Sequence, residues 1–204
     1  MLTSSPAYFA SCEPRIEDAF RLARRELASG VCLVTHGAGE TRAGLTATSV
    51  TSLSVEPPTL IVCVSRADLL YQRLATGDLF GVSVLAAHHA EHADCFASRA
   101  SPKRADRFRD GAWATTRGGV SVLADAIAIF ECEAEDVIER HAHAIVVGRV
   151  TLAAARPCEG ALLYWRGAYD HIGWSEDEIS RVNGVMPARA PSGDRGRAQV
   201  RRFK

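Results

Sequence analysis

Short strand-like segments follow one another along most of this chain, and long helices do not separate them. These runs are 31–35, 59–65, 79–85, 127–135, 143–152, 161–165 and 168–172. Gly37-Ala38-Gly39 after the first run, and Arg166-Gly167 between the last two, predict β-hairpins. Consecutive strands without helical crossovers favour an antiparallel barrel with peripheral helices over a doubly wound parallel sheet. The sequence therefore predicts a mainly β fold.

Three segments predict the peripheral helices. The first is amphipathic, with apolar residues at helical spacing at Ile16, Ala19, Phe20, Ala23 and Leu27. Gly30 just beyond it is the residue type that commonly ends a helix. Segments 67–75 and 86–98 predict a shorter and a longer helix, each placed after a strand.

Length and charge limit the domain count and the partners. The 204 residues suit one domain, and we expect an N-terminal extension over 1–14, a folded domain over 15–174 and a disordered tail over 175–204. That tail holds seven basic and four acidic side chains with little periodicity. The formal net charge is zero, which gives no electrostatic reason to expect nucleic acid or an anionic membrane as a partner.

The sequence also predicts where the protein works. No apolar run approaches the roughly 18 residues that a transmembrane helix needs, and the first residues lack the pattern of a signal peptide. The six cysteines are scattered and form no C-x-x-C pair. We therefore expect a reduced, cytoplasmic protein without a disulfide framework or a structural zinc site.

The segment from Thr46 to Ser54 is unusually rich in hydroxyls, which six of its nine residues carry. Hydroxyls and free backbone N–H groups can hold a phosphate or the edge of a heteroaromatic ring without using charge. A Ser/Thr-rich strand facing solvent has the same composition, so both interpretations stay open at this point. The usual glycine-rich phosphate loops of dinucleotide-binding folds and P-loop proteins are absent from the sequence.

Histidines suggest a different class of site. His88, Glu91 and His92 match the H-x-x-E-H pattern of inverted zinc peptidases, in which two histidines bind zinc and the glutamate acts as a base. The alternative is a set of polar residues on an exposed helix face. His141 and His143 would share one face of a strand. No G-x-S-x-G element for serine catalysis occurs, and Asp170-His171 is expected at the surface.

Taken in order, several segments resemble the flavin reductase family, which has the FMN-binding split-barrel fold. Segments 20–31, 44–54 with Glu56-Pro57-Pro58 behind it, 60–66 and 162–169 are similar to successive parts of that family. Phe80 to Leu85 resembles its F-x-V-N-V-L motif, with Ser83 where asparagine is usual. His143 to Val150 resembles its G-D-H…G-x-V strand, with His141-Ala142 in place of Gly-Asp.

The resemblance implies a set of cofactor-binding residues. The flavin ring, ribityl chain or phosphate would be contacted by Thr46, Ala47, Thr48, Ser49 and Ser52. The ring or the phosphate end would be lined by Cys63, Val64, Ser65 and Arg66, with Ser83 near the phosphate. The nicotinamide side would be formed by His143, as the candidate catalytic residue, Trp165, Arg166, Gly167 and Tyr169. The resemblance implies no metal, and it places the histidines of 88–92 on a peripheral helix.

The resemblance also implies an activity and partners. Such reductases pass hydride from NADH or NADPH to FMN or FAD and act as homodimers that supply reduced flavin to a monooxygenase. The absence of an arginine cluster for a 2′-phosphate favours NADH. A flavin- or haem-binding split-barrel protein without turnover is the alternative, and a zinc hydrolase built on His88, Glu91 and His92 is a third possibility.

Overall fold

A computed structural model describes residues 15–97, 107–156 and 160–173 of the chain. These residues fall in one compact unit that ends at Gly173. The predictions for 1–14 and 175–204 lie outside the described residues and stay predictions. No helix among the described residues is long and apolar enough to cross a membrane.

Strands dominate the described residues, as the sequence predicted. The strands are β1 Ser29–Gly30, β2 Cys32–His36, β3 Ala43–Ala47, β4 Thr51–Val55, β5 Pro58–Ser65, β6 Leu79–Val84, β7 Trp113–Thr115, β8 Ser121–Leu123, β9 Ala128–Arg140, β10 His143–Ala155, β11 Ala161–Trp165 and β12 Ala168–Ile172. The α-helices are α1 Ile16–Ala23, α2 Leu69–Arg73 and α3 Ala90–Ala97. Short 3₁₀-helices at Arg24–Glu26 and Ala87–His89 extend α1 and precede α3.

The main sheet has seven antiparallel strands in the order β3-β2-β6-β9-β10-β5-β4. Its two edge strands, β3 and β4, are consecutive in the chain and are joined by residues 48–50 alone. Such a link spans at most about 14 Å, whereas seven strands laid flat would hold their edges about 29 Å apart. The sheet must therefore curl into a barrel that stays open between β3 and β4. This opening is called the seam below.

Apolar side chains from every second strand position fill the inside of the barrel. Cys32 and Val34 of β2, Phe80 and Val82 of β6, and Val146 of β10 all belong to one buried apolar cluster. The prediction of an antiparallel barrel is confirmed. Each of these side chains points inward because every second residue of a strand faces the same side of the sheet.

A second apolar cluster lies outside the barrel wall. Val31 and Leu33, which alternate with the inward residues of β2, pack there with Phe96 of α3, Leu123 of β8 and Leu162 of β11. A smaller sheet, β1-β11-β12, and the β7–β8 hairpin cover this side. Both faces of β2 are therefore buried, which explains why the run from Val31 to Val34 is apolar without interruption.

Several element boundaries differ from the sequence prediction. β9 and β10 form a hairpin of 13-residue strands that is longer than the predicted runs, and β7 and β8 were not predicted. His141 lies in the turn with φ 52° rather than on a strand face shared with His143. The helix predicted over 67–75 spans Leu69–Arg73, with Asp68 as its N-cap. The β11–β12 hairpin around Arg166-Gly167 is confirmed.

Gly148 in β10 provides a test of the packing inside the barrel. A Cβ atom at this position would lie 2.4 Å from Cζ of Phe80 and 3.0 Å from Cβ of Cys132, both fully buried. We expect Gly148→Ala to lower the free energy of unfolding by about 1–3 kcal/mol, because a filled core cannot accept another methyl group without strain.

Chemical denaturation would measure this loss, and Gly30→Ala is the matched control, since a Cβ there meets nothing within 4 Å. Similar losses in both variants would show that steric crowding is not the cause.

Candidate functional site

Five of the predicted site residues lie together where β5 ends. Oγ of Ser49 donates to the carbonyl of Cys63 (2.9 Å) and accepts from its N–H (3.2 Å), which fixes the seam connection against β5. Ser65 lies directly opposite His143 of β10 in the sheet. The N–H of Arg66 donates to the carbonyl of Ala142 (3.0 Å) in the next turn. We call Ser49, Cys63, Ser65, Arg66 and His143 the Arg66 end.

The side chain of Arg66 is held between two elements. Its Nη2 lies 2.9 Å from a carboxylate oxygen of Glu139, and its Nη1 donates to the carbonyl of His141 (3.2 Å). The hydroxyl of Tyr71 in α2 donates to the other carboxylate oxygen of Glu139. Arg66 and Glu139 are 44% and 51% exposed, so the guanidinium is oriented by the protein and still faces solvent.

The outer face of the barrel beside this end is partly apolar. Ile61, Cys63 and Ser65 of β5 alternate with inward residues, and Ile145 of β10 lies directly opposite Cys63. These side chains are half-buried. A planar aromatic ring fits such a surface, because it can bury its face against apolar atoms while its edge meets backbone and hydroxyl groups.

Ala47 and Val64, also predicted to contact the cofactor, point the other way. They are 4% and 1% exposed and belong to the cluster inside the barrel. Any contact that they make with a ligand must therefore use the backbone. Thr48 and Ser52 are exposed on the seam connection and on the edge strand β4, so their hydroxyls remain accessible.

The second group of predicted residues lies on the β11–β12 hairpin. Arg166 and Gly167 form its two-residue turn with φ of 53° and 94°. A type I′ turn requires positive φ at both central residues, as found here. The guanidinium of Arg166 lies 4.3 Å from the ring centre of Trp165 and forms an ion pair with Glu26 (2.7 Å). The Arg166 N–H also donates to the carbonyl of Arg25 (3.1 Å), so the turn is anchored to the segment behind α1.

Helix α3 connects this hairpin with β3. The hydroxyl of Thr46 donates to the carbonyl of Ala93 (2.6 Å), and the neighbouring Asp94 forms a hydrogen bond with Tyr169. Burial, followed by the charge and hydrogen bond of Asp94, raises the pKa of Tyr169 to about 12. Tyr169 is therefore a neutral phenol at physiological pH, and Thr46 uses its hydroxyl proton to hold α3.

Ser83 is placed apart from the other predicted residues. It is fully buried, and its Oγ accepts a hydrogen bond from the N–H of Leu123 (3.0 Å). The serine thus fastens β6 to β8 and offers no accessible group to a phosphate in this structure. An open depression of about 390 Å³, partly lined by Val84, Arg156 and Ile172, contains none of the predicted residues.

The histidine-rich segment does not assemble the zinc site that the third alternative would need. The ligand atoms brought within 4.8 Å of one another are those of His88, His89 and Asp125, without Glu91 or His92. His89 was expected on an exposed helix face, but it is 1% exposed. Its Nδ1 accepts the N–H of Ala86 (3.1 Å), so a neutral ring carries its proton on Nε2, 3.4 Å from the Asp125 carboxylate.

This arrangement of His89 stabilises the start of the helix rather than a metal. Burial lowers the pKa of His89, against the opposing effect of Asp125, so the neutral ring is favoured. A metal at Nε2 would have to displace that proton while Nδ1 remains an acceptor, which a neutral imidazole cannot do. The geometry therefore does not fit a zinc hydrolase.

Sequence reasoning missed Glu139, Tyr71 and Asp94 as neighbours of the site. Asp136 to Glu139 continue the alternation of β9, which was predicted to end at Glu135. Extending that strand would have placed Glu139 next to the turn that faces Arg66. Tyr71 and Asp94 lie on helices whose positions against the barrel no local pattern specifies.

Comparisons with known proteins identify the family. Residues 23–173 match the model of the flavin reductase like domain. The FMN reductase (NADH) RutF of Methylorubrum populi is 34% identical over 192 residues, 90% of this chain and 93% of the relative.

Two solved structures share the fold at comparable identity. The NADH:FAD oxidoreductase of Streptomyces globisporus, in complex with NAD and FAD fragments, is 30% identical with a TM-score of 0.70, covering 80% of this chain and 98% of that one. The styrene monooxygenase flavin reductase of Pseudomonas putida is 29% identical with a TM-score of 0.66, covering 75% and 96%. The chain therefore belongs to the flavin reductase family.

Proposed function

We propose that this protein is an NADH-dependent flavin reductase that transfers hydride to FMN or FAD. The observation that carries the proposal is the Arg66 end, where an oriented guanidinium, hydroxyls and a partly apolar sheet face adjoin an open barrel seam. The relatives support it, because they are an FMN reductase and an FAD oxidoreductase that use NADH.

The residues present fit a flavin at this place. The half-buried side chains of Ile61, Cys63 and Ile145 would receive the face of the ring, and the hydroxyls of Thr48 and Ser52 its polar edge or ribityl chain. Arg66 would bind the phosphate. Bound there, the flavin supplies the acceptor for the hydride of NADH, and the protein contributes binding and orientation.

The nicotinamide would lie between His143 and the β11–β12 turn. His143 is exposed beside Ser65, and the Trp165-Arg166-Gly167 turn is fixed through Arg25 and Glu26. Hydride transfer needs the two rings held close together and requires no acid or base for the hydride itself. We propose that His143 orients the nicotinamide amide or a phosphate of NADH.

We further propose that reduced flavin leaves the protein and serves a separate flavin-dependent monooxygenase. The proposed site lies on an outer sheet face and an open seam rather than in a closed cavity, which favours release. The similarity to the reductase of styrene monooxygenase supports this role.

A homodimer is the third part of the proposal. Helix α1 has no buried residue, and Ile16 and Phe20 on its apolar side are 76% and 64% exposed. Leu27, just beyond the 3₁₀-helix that follows α1, is 70% exposed. We call these three side chains the stripe; exposed apolar surface of this kind can mark a subunit contact. A second copy is the occupant that we propose, because its own identical stripe could pair with this one across a twofold axis.

NADH oxidation by the purified protein, followed at 340 nm with added FMN, FAD or riboflavin, tests the activity. We expect a rate that rises with added flavin, and under anaerobic conditions more reduced flavin than protein, because each molecule releases its product. Flavin binding without any NADH oxidation would contradict the enzyme and favour a non-catalytic carrier. Reduction limited to one flavin per subunit would contradict release.

His143→Ala tests the nicotinamide position. We expect the KM for NADH to rise roughly tenfold, about 1.4 kcal/mol, because one hydrogen bond to the cosubstrate is lost. The dissociation constant of FMN should remain unchanged. Steady-state kinetics and flavin titration measure the two effects, and an unaltered KM and rate would rule out this role.

Phe20→Asp tests the subunit contact. We expect it to shift the protein from dimer to monomer, because a carboxylate at the centre of an apolar contact is costly to bury. The matched control is Leu22→Asp, since Leu22 is 67% exposed on the same helix but lies off the stripe. Sedimentation measures both masses, and a dimer that survives Phe20→Asp would exclude α1 from the contact.

A further inference from the structure

The proposed phosphate ligand Arg66 is already paired with an anion. Its Nη2 lies 2.9 Å from Oε2 of Glu139, and its Nη1 donates to the carbonyl of His141, so two of its nitrogens already contact acceptors among the described residues. The guanidinium is 44% exposed, so a ligand can still reach it. Any phosphate that approaches them also approaches the carboxylate of Glu139.

Both carboxylate oxygens of Glu139 have a partner in the protein. The hydroxyl of Tyr71 donates to Oε1, while Oε2 faces Arg66, so each carboxylate oxygen has its own partner. Tyr71 itself packs against the apolar cluster inside the barrel, which fixes its ring. The neighbouring turn adds backbone contacts, with the Arg66 N–H bonded to the carbonyl of Ala142. The Arg66–Glu139 ion pair is therefore one contact in a larger network of hydrogen bonds and differs from an isolated surface pair.

We infer that Glu139 limits the affinity of the Arg66 end for phosphorylated flavins. The carboxylate orients the guanidinium, offsets its positive charge and repels an incoming phosphate. The inference rests on the proposed function and adds a residue that sets how readily the flavin leaves. Glu139 acts through Arg66 and is a positioning residue.

Comparing FMN with riboflavin distinguishes this role of Glu139 from a general loss of local structure. FMN and riboflavin share the ring and the ribityl chain, and FMN alone carries a phosphate. An effect of Glu139 on the phosphate must change FMN binding and leave riboflavin binding nearly unchanged. A loss of local structure would change both.

The experiment measures dissociation constants of FMN and riboflavin for the full chain by quenching of flavin fluorescence. We expect Glu139→Gln to tighten FMN binding roughly three- to tenfold at low salt, since one repelling charge is removed from beside the phosphate. Riboflavin should change by less than about twofold, and the gain for FMN should shrink at high salt.

Glu56→Gln is the control for overall charge. It removes the same charge from an exposed turn at the opposite end of β5 and should leave both constants unchanged. Arg66→Gln is the second variant, which should abolish the preference for FMN over riboflavin. Adding Glu139→Gln to Arg66→Gln should then give a smaller gain for FMN than in the wild type, because the phosphate is no longer held beside the carboxylate.

The outcomes are distinct. Unchanged or weaker FMN binding in a folded Glu139→Gln protein, or equal changes for both flavins, would overturn the inference. So would an Arg66→Gln protein that keeps the preference for FMN, which also decides the matter where Glu139→Gln does not fold. Failure of the proposed function would appear earlier, as a wild-type protein that binds neither flavin.

Discussion

The shortness of the connection between β3 and β4 determines the architecture. Three residues cannot join the two edges of a flat seven-stranded sheet, so the sheet must curl until its edges approach. Curling creates an inside, which the alternating side chains of β2, β6 and β10 fill. It also brings the hydroxyl-rich connection next to the end of β5, where Ser49 bonds to Cys63. Closing the barrel therefore also brings the residues of the candidate site together.

Much of this fold follows from the sequence because its strands are bounded by clear turn residues. The β2–β3 and β11–β12 hairpins follow from glycine-containing breaks between apolar runs. The β7–β8 hairpin does not, since its strands have three residues each and are held by packing against the outer cluster. Periodicity over so few residues has little predictive value.

The sequence named the candidate site residues, but it did not show in which direction their side chains point. The resemblance singled out Ser83, Val64 and Ala47, yet these side chains are buried, because neighbouring residues on a strand face opposite sides of the wall. The pairing of Arg66 with Glu139 joins positions 73 residues apart and depends on the β9–β10 turn. No local pattern reports such a contact. The sequence likewise places His89 on an exposed helix face, and only the packing of that helix shows that it is buried beside Asp125.

The open seam has a consequence for how the molecule exchanges protons with water. Among the described strands, β3 pairs only with β2 and β4 only with β5, so each presents one row of backbone groups outside any ladder. Amide protons in those rows exchange with solvent without unfolding. Those in β6, β9 and β10 are hydrogen-bonded on both sides of the strand and exchange only when the barrel unfolds locally. The two edges therefore form an intrinsic reporter, whose amides slow their exchange only when something covers the seam.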